Sequence, residues 1–168
     1  MPAWALPLAY WLHMLATVAW VGNLLFETLA LPPALGSSLT PAEHRRVLEA
    51  VRRRFQPLGW LSLGVLIVTG LVQMSAHPSY RGLLTVENAW SLAILAKHLV
   101  IAAMVAVAGY QTWFLQPAID RSALRLPQGT ATGSGKLGAL QRLQRRWARL
   151  NLALSVVVLA LTALARTS

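Results

Sequence analysis

Tyr10-Trp11-Leu12-His13-Met14-Leu15-Ala16-Thr17-Val18-Ala19-Trp20-Val21-Gly22-Asn23-Leu24-Leu25-Phe26-Glu27 is the centre of an apolar run from about Leu6 to Leu31. At ~1.5 Å per residue such a helix is long enough to cross a bilayer, yet this one carries a histidine, an asparagine and a glutamate. Seven-residue spacing puts His13, Trp20 and Glu27 on one stripe. Polar groups inside a span are costly against lipid, so the stripe is expected to face protein or a cofactor.

The rest of the composition agrees with a membrane setting. Hydrophobic residues make up 56% of the 168-residue chain and charged residues 12%, about half the charged fraction of a soluble domain. The chain has no cysteine, which removes disulfides, thiolate metal sites and cysteine nucleophiles and leaves His, Met, carboxylate, Lys or Tyr as ligands. A net charge of +10 falls in two clusters beside apolar runs, which is the pattern of membrane orientation and not of a nucleic-acid-reading face. No Lys or Arg precedes the first run, and that run is too long for a signal-peptide core, so it reads as a retained span.

Four spans are expected, at about 7–31, 55–74, 88–114 and 150–165, in one all-α four-helix membrane domain covering 1–168. Pro7 suits the start of the first and Pro32-Pro33 its end. The basic segment 36–54 holds the capping box Thr40-Pro41-Ala42-Glu43 and a short surface helix with Arg45, Arg46, Arg52, Arg53 and Arg54. Gly59, Gly64 and Gly70 in the second span permit close helix approach. The third span is expected to end before Pro117. In the second basic segment, 118–149, residues 127–135 have the composition of a flexible linker. No internal repeat stands out. The arginines of the two basic segments, against Arg81 alone between spans two and three, place those segments in the cytoplasm and both termini outside.

Spans one and three enter from the same side. His13 and His98 should both lie on the order of 9–15 Å below the outer face. Two level histidines on different helices of a bundle suit a b-type haem ligated from both faces, with Lys97 or Arg81 near its propionates. The same pair suits one copper ion with Met14, Met104 or His77 as further ligand. The plainer alternative leaves each histidine a hydrogen-bonded packing residue and the methionines as core filler. Trp20 packs, and Gly22 admits a neighbouring helix or a flat ring. Glu27, ~21 Å along the helix from His13, is expected to pair with a cytoplasmic arginine such as Arg54. Hydrolase, kinase and zinc-protease motifs are absent from the sequence.

His13 followed by Trp20, Gly22 and Phe26, then Arg54-Phe55 leading to Thr69-Gly70, then Tyr80-x-Gly82-x-Leu84 ahead of Lys97, resembles the copper-resistance protein D (CopD) family. The HemJ-type membrane protoporphyrinogen oxidases are similar in their four-span core. The resemblance implies a multi-pass protein of the bacterial inner membrane. Its copper-resistance relatives are associated with copper uptake, and its oxidase relatives bind b-type haem, with His13 and Lys97 matching their pattern. The reading favoured from the sequence is haem b held by His13 and His98, with Lys97, Trp20, Gly22 and Arg81 around it, for electron transfer or oxidation in a membrane assembly. The alternatives are copper translocation and a cofactor-free accessory subunit. The expected surroundings are the lipid bilayer and either other membrane-complex subunits or a second copy of the chain, with no nucleic acid.

Overall fold

A computed structural model describes residues 2–35, 40–78, 89–124 and 131–167. The chain divides into two compact units, Met1–Thr85 and Val86–Ser168. In the first, α1 (Ala5–Leu25) runs through a π-helical turn (Phe26–Ala30) into the short α2 (Leu31–Leu35), and α3 (Pro41–Ser75) follows. The second has the same order: α4 (Ala89–Tyr110), a π-helical turn (Gln111–Leu115), α5 (Gln116–Leu124) and α6 (Ala131–Thr167). Among the described residues there is no strand.

Four helical stretches are long and apolar enough to cross a membrane: Ala5–Ala30, Arg46–Ser75, Ser91–Leu124 and Gly135–Leu164. The all-α, four-span expectation therefore holds. Helix is the form that satisfies every backbone group within its own segment, as hydrocarbon requires. Hydroxyls inside these spans follow the same rule. Thr17 donates to the His13 carbonyl, Ser62 to Leu58, Thr69 to Val65, Ser155 to Asn151 and Thr162 to Val158. The outer faces are apolar and open, with Val18 72% and Met14 67% exposed, as suits contact with lipid.

Within the first unit α1 and α3 pack antiparallel. Gln73 Nε2 donates to the Ala9 carbonyl at 3.3 Å, His13 meets Thr69, and Phe26 stacks on Phe55 with centroids 5.3 Å apart. Gly59 lets the helices close, since a Cβ there would already touch Asn23 Nδ2 at 3.5 Å and Trp20 Cζ3 at 3.8 Å. Within the second unit α4 and its continuation pack on α6 through Met104 and Ser155, Tyr110 and Trp147, and Gln116 and Gln144.

Four boundaries differ from the expectation. The first helix does not stop at Pro32-Pro33, because α2 carries it through both prolines to Leu35. The first basic segment is not a separate surface helix, because α3 is one helix of 35 residues that starts at the capping box and runs through Pro57. Residues 131–135, expected in a linker, are the first turns of α6. The third span does not end before Pro117. The preceding π-helical turn closes with the Gln116 N–H on the Gln111 carbonyl, a wider i→i+5 loop that makes room for a ring with no N–H to give. The Leu31 N–H does the same to Phe26 ahead of Pro32.

Candidate functional site

In α1, His13 Nδ1 lies 2.8 Å from Thr69 Oγ1. The single hydroxyl proton of Thr69 goes to the Val65 carbonyl at 2.6 Å, so Oγ1 accepts from the ring and His13 carries its proton on Nδ1. That fixes the tautomer and puts the ring's lone pair on Nε2. Thr69 is buried, and the His13 Cε1 lies against Gly70, 3.5 Å from where a Cβ would stand. α3 thus holds the ring by a hydroxyl on one residue and a bare backbone face on the next.

In α4, His98 Nδ1 lies 2.7 Å from the Ile94 carbonyl. A carbonyl only accepts, so His98 is also protonated on Nδ1 with its lone pair on Nε2. Histidines that ligate metals characteristically donate their other ring N–H to such an acceptor. Both histidines therefore have the protonation that a ligand needs, reached through different acceptors.

The methionines are not gathered around them. Met14 points out among Trp11, Leu15 and Val18, roughly 100° round α1 from its neighbour His13. Met104 is 4% exposed and its Sδ lies 3.8 Å from the Ser155 hydroxyl oxygen, whose proton goes to the Asn151 carbonyl. It lies about 240° round α4 from His98. Among the described residues no group of three or more His, Asp or Glu side chains is placed to hold a metal ion. Lys97 stays half-buried beside His98. Gly22 has no atom within 4 Å of a Cβ position. Arg81 lies outside the described residues.

Below His13 the stripe on α1 continues as expected, with Trp20 buried. Trp20 Nε1, Asn23 Oδ1 and Thr28 Oγ1 are buried with no hydrogen-bond partner. The hydrogen-bonding neighbour of Glu27 is Asn23, one turn back on the same helix, and not Arg54. A second pair of this kind was not anticipated: Trp147 Nε1 and Asn151 Oδ1 in α6 are also buried and unpartnered, and Asn151 is only 1% exposed. Its one signal in the sequence is an asparagine directly inside the apolar run that follows Arg149.

A multi-pass helical membrane protein that sets one imidazole of fixed tautomer in each of two helical hairpins is the class this fold and site define. The chain belongs to the copper resistance protein D (CopD) family, whose model matches residues 49–165, more than two thirds of its length. The matched region holds Lys97, His98 and Met104, while His13, Trp20 and Gly22 on α1 precede it. No curated protein and no solved structure matches the chain. The family makes this a copper-resistance-related membrane protein. Haem binding, electron transfer and kinship with the HemJ-type oxidases draw no support from it.

Proposed function

We propose that the protein moves copper through the inner membrane of a bacterial cell, with His13 and His98 as the imidazoles that engage it. The observation carrying this reading is that both rings bear their proton on Nδ1 and their lone pair on Nε2. Imidazole suits copper.

The test is the copper content of cells expressing the protein at raised external copper, measured by elemental analysis. Expression is expected to change cellular copper severalfold, and His13→Ala and His98→Ala to abolish the change while the protein stays in the membrane. Unaltered copper content with abundant membrane-inserted protein would overturn the reading. The same tautomer also serves an axial haem ligand. Haem reports itself as a Soret band in the purified protein, and such a band lost on either substitution would replace copper with the haem reading.

A further inference from the structure

The two basic arms differ in what accompanies their charge. On α3 the arginines come with acids, and Glu49 Oε1 accepts from Arg53 at 2.6 Å, an i,i+4 pair that stabilises its helix. From Arg121 to the end of the chain there are eight Lys and Arg and no Asp or Glu. Lys136, Arg142, Arg145, Arg146 and Arg149 stand on α6 ahead of its apolar run, and among the described residues no carboxylate pairs with them. Acids elsewhere are engaged locally: Glu27 with Asn23, Glu43 with Thr40 and Asp120 with Gln116.

At about 100° per residue, Arg142, Arg145, Arg146 and Arg149 share one face of α6, where like charges at i,i+4 repel. Arg142 and Arg146 are both exposed and line, with Ala139 and Leu143, an open concavity of about 290 Å³. The Arg142 guanidinium rests over the bare backbone of Gly138, with Nη1 3.5 Å from where a Cβ would stand. Arg146 is four residues, about 6 Å, from Leu150, where the apolar run begins. The headgroup layer on each side of a bilayer is about 5–7 Å deep, so Arg146 is at headgroup level with Arg142 one turn further out. Below them Leu143, Leu150 and Val157 recur at seven-residue spacing, with Leu150 and Val157 exposed, as one apolar stripe leading into the membrane.

We propose that this face of α6 is a binding site for an anionic phospholipid. Arg142 and Arg146 take the phosphodiester, whose oxygens suit forked guanidinium donors, and an acyl chain lies along Leu143, Leu150 and Val157. The concavity has the volume of about ten water molecules, which takes a phosphoglycerol group and leaves the rest of the lipid in the bilayer. The uncompensated positive charge selects an anionic lipid over a zwitterionic one, whose own cation it repels. The site is independent of the copper reading.

Full-length protein in mild detergent is titrated with phosphatidylglycerol or phosphatidylcholine, and native mass spectrometry counts the lipids retained per chain. Phosphatidylglycerol is expected to bind roughly 5-fold more tightly than phosphatidylcholine. Arg142→Gln with Arg146→Gln should abolish that preference, while Arg46→Gln with Arg54→Gln, the same loss of charge on the α3 arm, should leave it intact. Unchanged elution on gel filtration confirms that the variants are folded. Where glutamine disturbs folding, Arg142→Lys with Arg146→Lys keeps the charge without the fork and should weaken phosphatidylglycerol binding severalfold. Equal binding of the two lipids would overturn the site, and so would equal losses from the two arms, which would mean a general field with no particular seat. Excess inorganic phosphate at matched ionic strength should leave phosphatidylglycerol bound; its displacement would make this a free-phosphate site and overturn the lipid as occupant.

Discussion

At the scale of single residues, the bond between His13 and Thr69 separates a held imidazole from a merely buried one. Thr69→Val keeps the shape and removes the acceptor, leaving the Nδ1–H of a half-buried ring without that partner. Loss of such a partner costs about 1–3 kcal/mol, toward the lower end within a membrane protein, where unfolded helices also find partners. Thermal unfolding in detergent should show a lowered midpoint for Thr69→Val and a near-native one for Thr69→Ser; equal midpoints for Val and Ser would mean the hydroxyl contributes nothing. His13 and His98 were legible in the sequence because an ionisable side chain in an apolar run stands out. Their acceptors were not, since Thr69 lies 56 residues from His13 and pairing across helices depends on register. Met14, allowed as core filler by the sequence, is 67% exposed, because one residue along a helix is a turn of about 100°, enough to carry it off the stripe of His13. Trp147 and Asn151 escaped notice because they stand beside arginines at an apparent span boundary, where polar side chains ordinarily meet water.

At the scale of elements, span existence was plain from apolar run length, but boundaries were not. Helical hydrogen bonding does not stop where hydropathy falls, so α3 and α6 each continue past the apolar run into an arginine-rich arm. The start of α3 was legible, because a capping box is local. Glu43 Oε2 accepts from the Thr40 N–H at 2.9 Å and from its hydroxyl at 2.6 Å, and the Glu43 N–H donates back to Thr40 Oγ1. These bonds to Thr40 hold the Glu43 carboxyl below its usual 4.5. A carboxylate with a depressed folded pKa stabilises above its unfolded value, and that contribution fades as pH falls through the folded one. Amide protection in the first turn of α3, taken relative to the intrinsic exchange rate at each pH, should therefore hold at neutral pH and fall below about pH 4.5. In Glu43→Gln that pH-dependent fall should vanish; if it persists, another group frays the helix.

At the scale of the whole molecule, charge is distributed by helix end more than by face. Fifteen Lys and Arg stand against five Asp and Glu, and most of the excess lies where α3 and α6 begin: Arg45, Arg46 and Arg52 to Arg54 on one, Lys136, Arg142, Arg145, Arg146 and Arg149 on the other. Basic segments flanking spans are retained in the cytoplasm. Both basic arms should therefore lie on the cytoplasmic side, with the opposite helix ends outside. Because the chain has no cysteine, introduced thiols report without background. Ala50→Cys and Gln141→Cys lie on the exposed surface of the two arms, Ala3→Cys and Ala76→Cys at the opposite ends of the helices. A membrane-impermeant maleimide applied to intact cells should label the last two variants and spare the first two until the membrane is opened. Labelling of one arm without the other would overturn the shared cytoplasmic placement of the two basic segments.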